Sequence, residues 1–121
     1  MSAARIHLTL AALMGLAGVA LLAASTHVTG TANVGLAGQM LLFHAPVVFG
    51  ATVARKAGHL ADLAARIALS AIILGACLFA ADLSRRGFSG VALFPRAAPT
   101  GGWFMLMGWL GLALSAAVRR G

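Results

Sequence analysis

From Val34 to Ala54 the chain runs VGLAGQMLLFHAPVVFGATVA, 21 residues without one charged side chain. At a rise of about 1.5 Å per residue, a helix over that stretch spans a hydrocarbon core of about 30 Å. Three more apolar runs accompany it, at about 6–24, 63–81 and 103–118. Together they predict an all-α integral membrane protein, an antiparallel four-transmembrane-helix bundle in a single domain over residues 1–121.

Composition agrees with lipid as the solvent. Hydrophobic residues make up 61% of the chain, charged residues 9%, and the mean hydropathy is +0.98. A water-exposed surface normally carries roughly 25–35% charged residues. The formal net charge is +7, with Asp62 and Asp82 the only acids. Nucleic-acid binding is not the explanation, because the basic residues do not form a stripe interleaved with aromatics. They flank the apolar runs, at Arg5, Arg55, Lys56, Arg85, Arg86, Arg119 and Arg120. The bilayer is therefore the first expected partner.

The run at 6–24 follows Arg5 and ends near Ala23, Ala24 and Ser25, as a signal peptide would. Its length fits a span of about 20 residues better than a signal core of about 7–15. It is therefore expected to be retained as the first helix. Ser25 to Asn33 reads as a polar connection. Gly58 is placed to stop the second helix. Asp62 suits the start of the third, with Arg66 four residues on. Asp82 with Arg85 and Arg86 reads as a surface ion cluster. Gly87 to Gly102 reads as the longest connection, because Gly, Pro and Ser punctuate it. The fourth run then has only sixteen residues, about 24 Å, and falls short of the core.

Small residues recur on one side of three runs: Ala11, Gly15 and Gly18; Ala64, Ala68, Ala71 and Gly75; Gly108, Gly111 and Ser115. Such faces let helices approach closely. With both ends on one side, that side holds Arg5, Arg55, Lys56, Arg66, Arg119 and Arg120, and the other holds Arg85, Arg86 and Arg96. The excess predicts that both termini are cytoplasmic.

Candidate chemistry concentrates in the second run. Gln39 is the only glutamine, His44 falls near mid-depth, and Pro46 follows two residues later. Gln39 and His44 are the candidate ligand-binding pair. Pro46 lacks an N–H, collides with the carbonyl of Leu42 and is expected to kink the helix. Five residues separate Gln39 from His44, about 140° around a helix, so the two point to different sides. For His44 an interhelical hydrogen bond is favoured over a ligand, proton or quinone site.

No cofactor is expected. Haem would need two histidines at one depth, whereas His7 and His59 belong to one end, His27 to the other and His44 to the middle. Zinc spacing is absent, a lone Cys77 offers no disulfide or metal cluster, and no P-loop motif occurs. No metal site and no catalytic residue are assigned, and the chain is read as non-enzymatic.

Three segments also resemble a known family. They are AASTHV at Ala23–Val28, GQMLLFHA at Gly38–Ala45, and APTGGWFMLMGWLGLAL at Ala98–Leu114. The Gln-x4-His spacing, and the Gly-Gly start of the last helix with Gly108 and Trp109, resemble the domain-of-unknown-function 423 family of small membrane proteins. The resemblance implies four helices and the bacterial inner membrane, and it brings no established activity. The expected function is a small non-catalytic accessory or structural subunit of a larger membrane protein complex. The alternative is a lipid- or small-molecule-binding protein or transporter with a site near His44.

Overall fold

The computed structural model describes residues 1–119. Four helices follow in order: α1 Ala3–Ala24, α2 Ala32–Lys56, α3 Asp62–Ser89 and α4 Ala97–Val118. All four are long and apolar enough to cross a membrane. The chain is an all-α, antiparallel four-helix bundle and a multi-pass membrane protein. Arg120, expected to close the fourth span, lies outside the described residues.

Each helix extends past the apolar run that announced it. α4 has 22 residues rather than sixteen, about 33 Å, so the expected shortfall disappears. The reason is local. Pro99 occupies the first turn, where its missing N–H has no intrahelical partner in any case. The connection therefore shrinks from the expected Gly87–Gly102 to residues 90–96. At the other end of that connection, α3 runs on to Ser89 and stops at Gly90, whose φ of 76° suits a residue without a Cβ. α1 likewise continues through a wide π-helical turn, Ser25–Thr29, into what looked like loop. The stop expected at Gly58 is found there, with α2 ending at Lys56 and Gly58 at φ 89°.

α2 and α3 pack together at the centre. α1 packs mainly on α2, and α4 mainly on α3. The two outer helices meet opposite edges of the inward face of α2: Gly18 and Gly15 of α1 face Gly38, Leu42 and Ala45, while Trp109 of α4 reaches His44.

Small residues set the spacing. A Cβ on Gly101 would lie 2.6 Å from the Gly75 carbonyl oxygen, and one on Gly38 would lie 2.8 Å from that of Gly18. Both helix pairs therefore touch backbone to backbone. The face expected on α3 is shifted by one residue in places. Ala68 and Gly75 are buried, but Ala65 and Ala76 join them, while Ala64 is exposed and Ala71 half-buried. Ala64 and Ala71 lie on the flank of the inward arc, because a seven-residue repeat drifts on a 3.6-residue helix.

Large apolar side chains point outward, among them Leu16, Phe43, Ile67, Leu106 and Leu110. The core is built instead of Ala11, Ala37, Ala45, Leu69, Ile72 and Ala76, with their neighbours. In water such a surface would be a liability. In lipid it costs nothing, and close packing of small residues supplies the association.

Candidate functional site

His44 sits at mid-length of α2, buried to 6% exposure on the face turned toward α3 and α4. Its Nδ1 lies 2.7 Å from the Met40 carbonyl oxygen. A carbonyl only accepts, so Nδ1 carries the proton. The indole Nε1–H of Trp109 only donates, and it reaches His44 Nε2 at 3.1 Å. The imidazole is thus neutral, with both nitrogens bonded. The rings meet edge to face, with centroids 5.8 Å apart and planes at 61°. One polar pair therefore ties α2 to α4 across the middle of the bundle.

Gln39 and Pro46 are not part of that pair. Both lie on the exposed outer face of α2, seven residues apart and so almost in line. α2 continues without interruption through Pro46. Gln39 lies five residues, about 7.5 Å along the axis, from His44. Its amide therefore faces outward at hydrocarbon depth, with no side-chain hydrogen bond among the described residues.

The two ends of the bundle hold polar structure that spacing foretold only in part. At the end carrying the N-terminus, the Arg55 side chain is 2% exposed and its Nη1 pairs with Asp62 Oδ1. Arg66 Nε holds the other oxygen at 3.0 Å, the expected i,i+4 pair. One carboxylate thus serves two guanidiniums and joins α2 to α3. His7 of α1 meets Ser70 Oγ of α3 through Nε2 at 3.2 Å. Among the described residues, His7 Nδ1 and Arg55 Nε are buried without a partner. The 57–61 connection is tied to α4 by two bonds: the Ala61 N–H donates to the Ser115 carbonyl at 2.9 Å, and Arg119 Nε donates to the Gly58 carbonyl at 3.0 Å.

At the opposite end, Asp82 is not the surface group expected. It is fully buried. Oδ1 accepts the Leu93 N–H at 2.8 Å and Oδ2 accepts Arg86 Nε at 3.1 Å. The carboxylate pins the 90–96 connection back onto α3, and its burial follows from that fold-back. Of the two neighbouring arginines, Arg86 is the one that pairs with it.

The remaining histidines are dispersed: His27 is exposed at the Asp82 end and His59 in the 57–61 connection. Among the described residues no group of three or more His, Cys, Asp or Glu side chains is arranged to hold a metal ion. Cys77 faces a groove between α1 and α3.

These features define a multi-pass helical membrane protein whose mid-membrane polar pair joins two of its own helices. The chain matches no family model, no curated protein and no solved structure.

Proposed function

We propose that this protein is a small non-catalytic accessory or structural subunit of a larger membrane protein complex. The observation that carries the reading is Gln39, an amide on the outer face of α2 within the depth of the apolar core. A polar side chain at that depth normally faces protein or water rather than lipid chains. A transmembrane helix of a partner, presenting a hydrogen-bonding group opposite Gln39, would satisfy it. Pro46 and Gly50 lie on the same face, and a Cβ on Gly50 would meet nothing within 4 Å. A second helix can approach closely there.

A ligand site or transport path at His44 is the second reading. The bonding of both His44 nitrogens favours a packing role over ligand capture. The setting we propose is the bacterial inner membrane, as the resemblance to the 423 family implies, with both termini cytoplasmic. In support of that orientation, Arg5, Arg55, Lys56, Arg66 and Arg119 lie at one end, against Arg85, Arg86 and Arg96 at the other.

Co-purification tests the proposal. A tagged copy extracted in mild detergent should bring a defined membrane protein in fixed ratio, and Gln39→Leu should lose it. Recovery of the chain alone, from membranes where it is abundant, would contradict a subunit role.

A further inference from the structure

Arg66, Ser70 and Leu74 succeed one another at four-residue spacing on α3 and form one ridge. A groove lies on each side of it. One, of about 280 Å³, is walled by Ile6, His7 and Leu10 of α1. The other, of about 360 Å³, has Phe104 of α4 in its wall and Arg66 at its polar end. Ser70 and Leu74 line both. Leu10 also lines a further apolar cavity of about 290 Å³, which reaches Ser84 between α1 and α3. From Ser70 to Ser84 is about 21 Å along the helix. That exceeds the half-thickness of a core of about 30 Å.

The polar end of the ridge is short of negative charge. Among the described side chains, Arg5, Arg55, Lys56, Arg66 and Arg119 share this end with Asp62 as the single acid. Asp62 is already divided between Arg55 and Arg66. The Arg66 side chain remains 48% exposed, with guanidinium hydrogens to spare. Ser70 Oγ donates to the Arg66 carbonyl at 2.8 Å, so its proton is committed.

We infer that this ridge binds an anionic diacyl phospholipid, its phosphate on Arg66 and its two chains diverging at Ser70 into the flanking grooves. The forked shape selects the occupant. Two narrow grooves that share Ser70 and Leu74, on a ridge that ends in Arg66, match two chains joined at one phosphate. A partner helix, about 10 Å wide with its side chains, would bridge the ridge and leave both grooves unfilled. The site is separate from the outer face of α2 and does not depend on the subunit proposal.

Native mass spectrometry of the purified full chain in mild detergent provides the test, with phosphatidylglycerol and phosphatidylcholine of identical chains as probes. Phosphatidylglycerol should be retained under activation that strips phosphatidylcholine. Arg66→Gln should weaken its binding about fivefold, the equivalent of about 1 kcal/mol for one cation near an anionic membrane surface. Arg66→Lys should restore most of the loss. Leu74→Trp, which puts a bulky ring on the ridge where the two grooves share a wall and leaves Arg66 in place, should abolish retention with helicity unchanged by circular dichroism. Lys56→Gln, at the same end but off the ridge, should change nothing. Equal retention of the two lipids would overturn the inference. So would an equal loss in Lys56→Gln, or displacement of the lipid by glycerol phosphate, which has no chains.

Discussion

Trp109 and His44 lie at matching positions in α4 and α2: each stands twelve residues after the first residue of its helix, Ala97 and Ala32 respectively. The two helices run in the same direction, so the match puts indole and imidazole at one depth, and the 3.1 Å hydrogen bond follows. The bond uses the last free nitrogen of a histidine that would otherwise be unsatisfied within the bilayer.

Removing the indole donor should therefore destabilise the bundle without unfolding it. Trp109→Phe keeps an aromatic ring and leaves His44 Nε2 bare. In a double-mutant cycle with His44→Phe, the coupling should be about 0.6 kcal/mol and at most about 1.7 kcal/mol, the range of interhelical hydrogen bonds in membranes. Reversible unfolding in mixed micelles measures it. Zero coupling would mean that the pair does not join α2 to α4.

The same pair shows what the sequence could and could not reveal. His44 was legible as a polar group at mid-depth, and its separation from Gln39 followed from helical geometry. Trp109 was not legible as its partner, because the fourth helix appeared to begin at Trp103 rather than at Ala97. That boundary put Trp109 six residues into its helix and His44 ten into its own, at mismatched depths. Pro99, Gly101 and Gly102 read as loop formers. In the structure Pro99 fits the first turn, and Gly101 lets α3 approach. Asp82 was misplaced for the same reason: only a short connection folds back far enough to bury it. The four helices themselves were legible, because strongly apolar runs with almost no charge have few alternatives.

The backbone contact between Gly75 and Gly101 predicts a second effect. Gly101→Val would drive α3 and α4 apart, at a cost of about 1–3 kcal/mol. Both tryptophans, Trp103 and Trp109, are on α4, so their emission should shift as the interface opens. Gly50→Ala is the control: its Cβ would meet nothing within 4 Å, and it should be neutral or slightly stabilising. A larger loss from Gly50→Ala than from Gly101→Val would contradict the packing described.

Asp82 makes a local prediction. Asp82→Ala removes the acceptor for the Leu93 N–H and should accelerate amide exchange at Leu93 far more than at mid-helix positions of α3. Asp82→Asn keeps an acceptor oxygen and should leave Leu93 largely protected while releasing Arg86. Equal exchange in the two variants would show that the carboxylate does not hold the connection.

The proposed orientation can be read with a membrane-impermeant thiol reagent in a Cys77→Ser background. A cysteine at His59 should label only after the membrane is opened, and one at Val28 should label in intact cells. Both positions are exposed at opposite ends of the bundle. The reverse pattern would invert the orientation.

The central claim is that the outer face of α2 is turned toward another protein, while His44 serves the bundle from within. A photo-crosslinking amino acid at position 39, irradiated in native membranes, tests it most directly. Position 106 on the lipid-facing side of α4 serves as the reference. The account predicts a discrete protein adduct from position 39, of one reproducible mass, and none from position 106. Lipid adducts alone from both positions would contradict it.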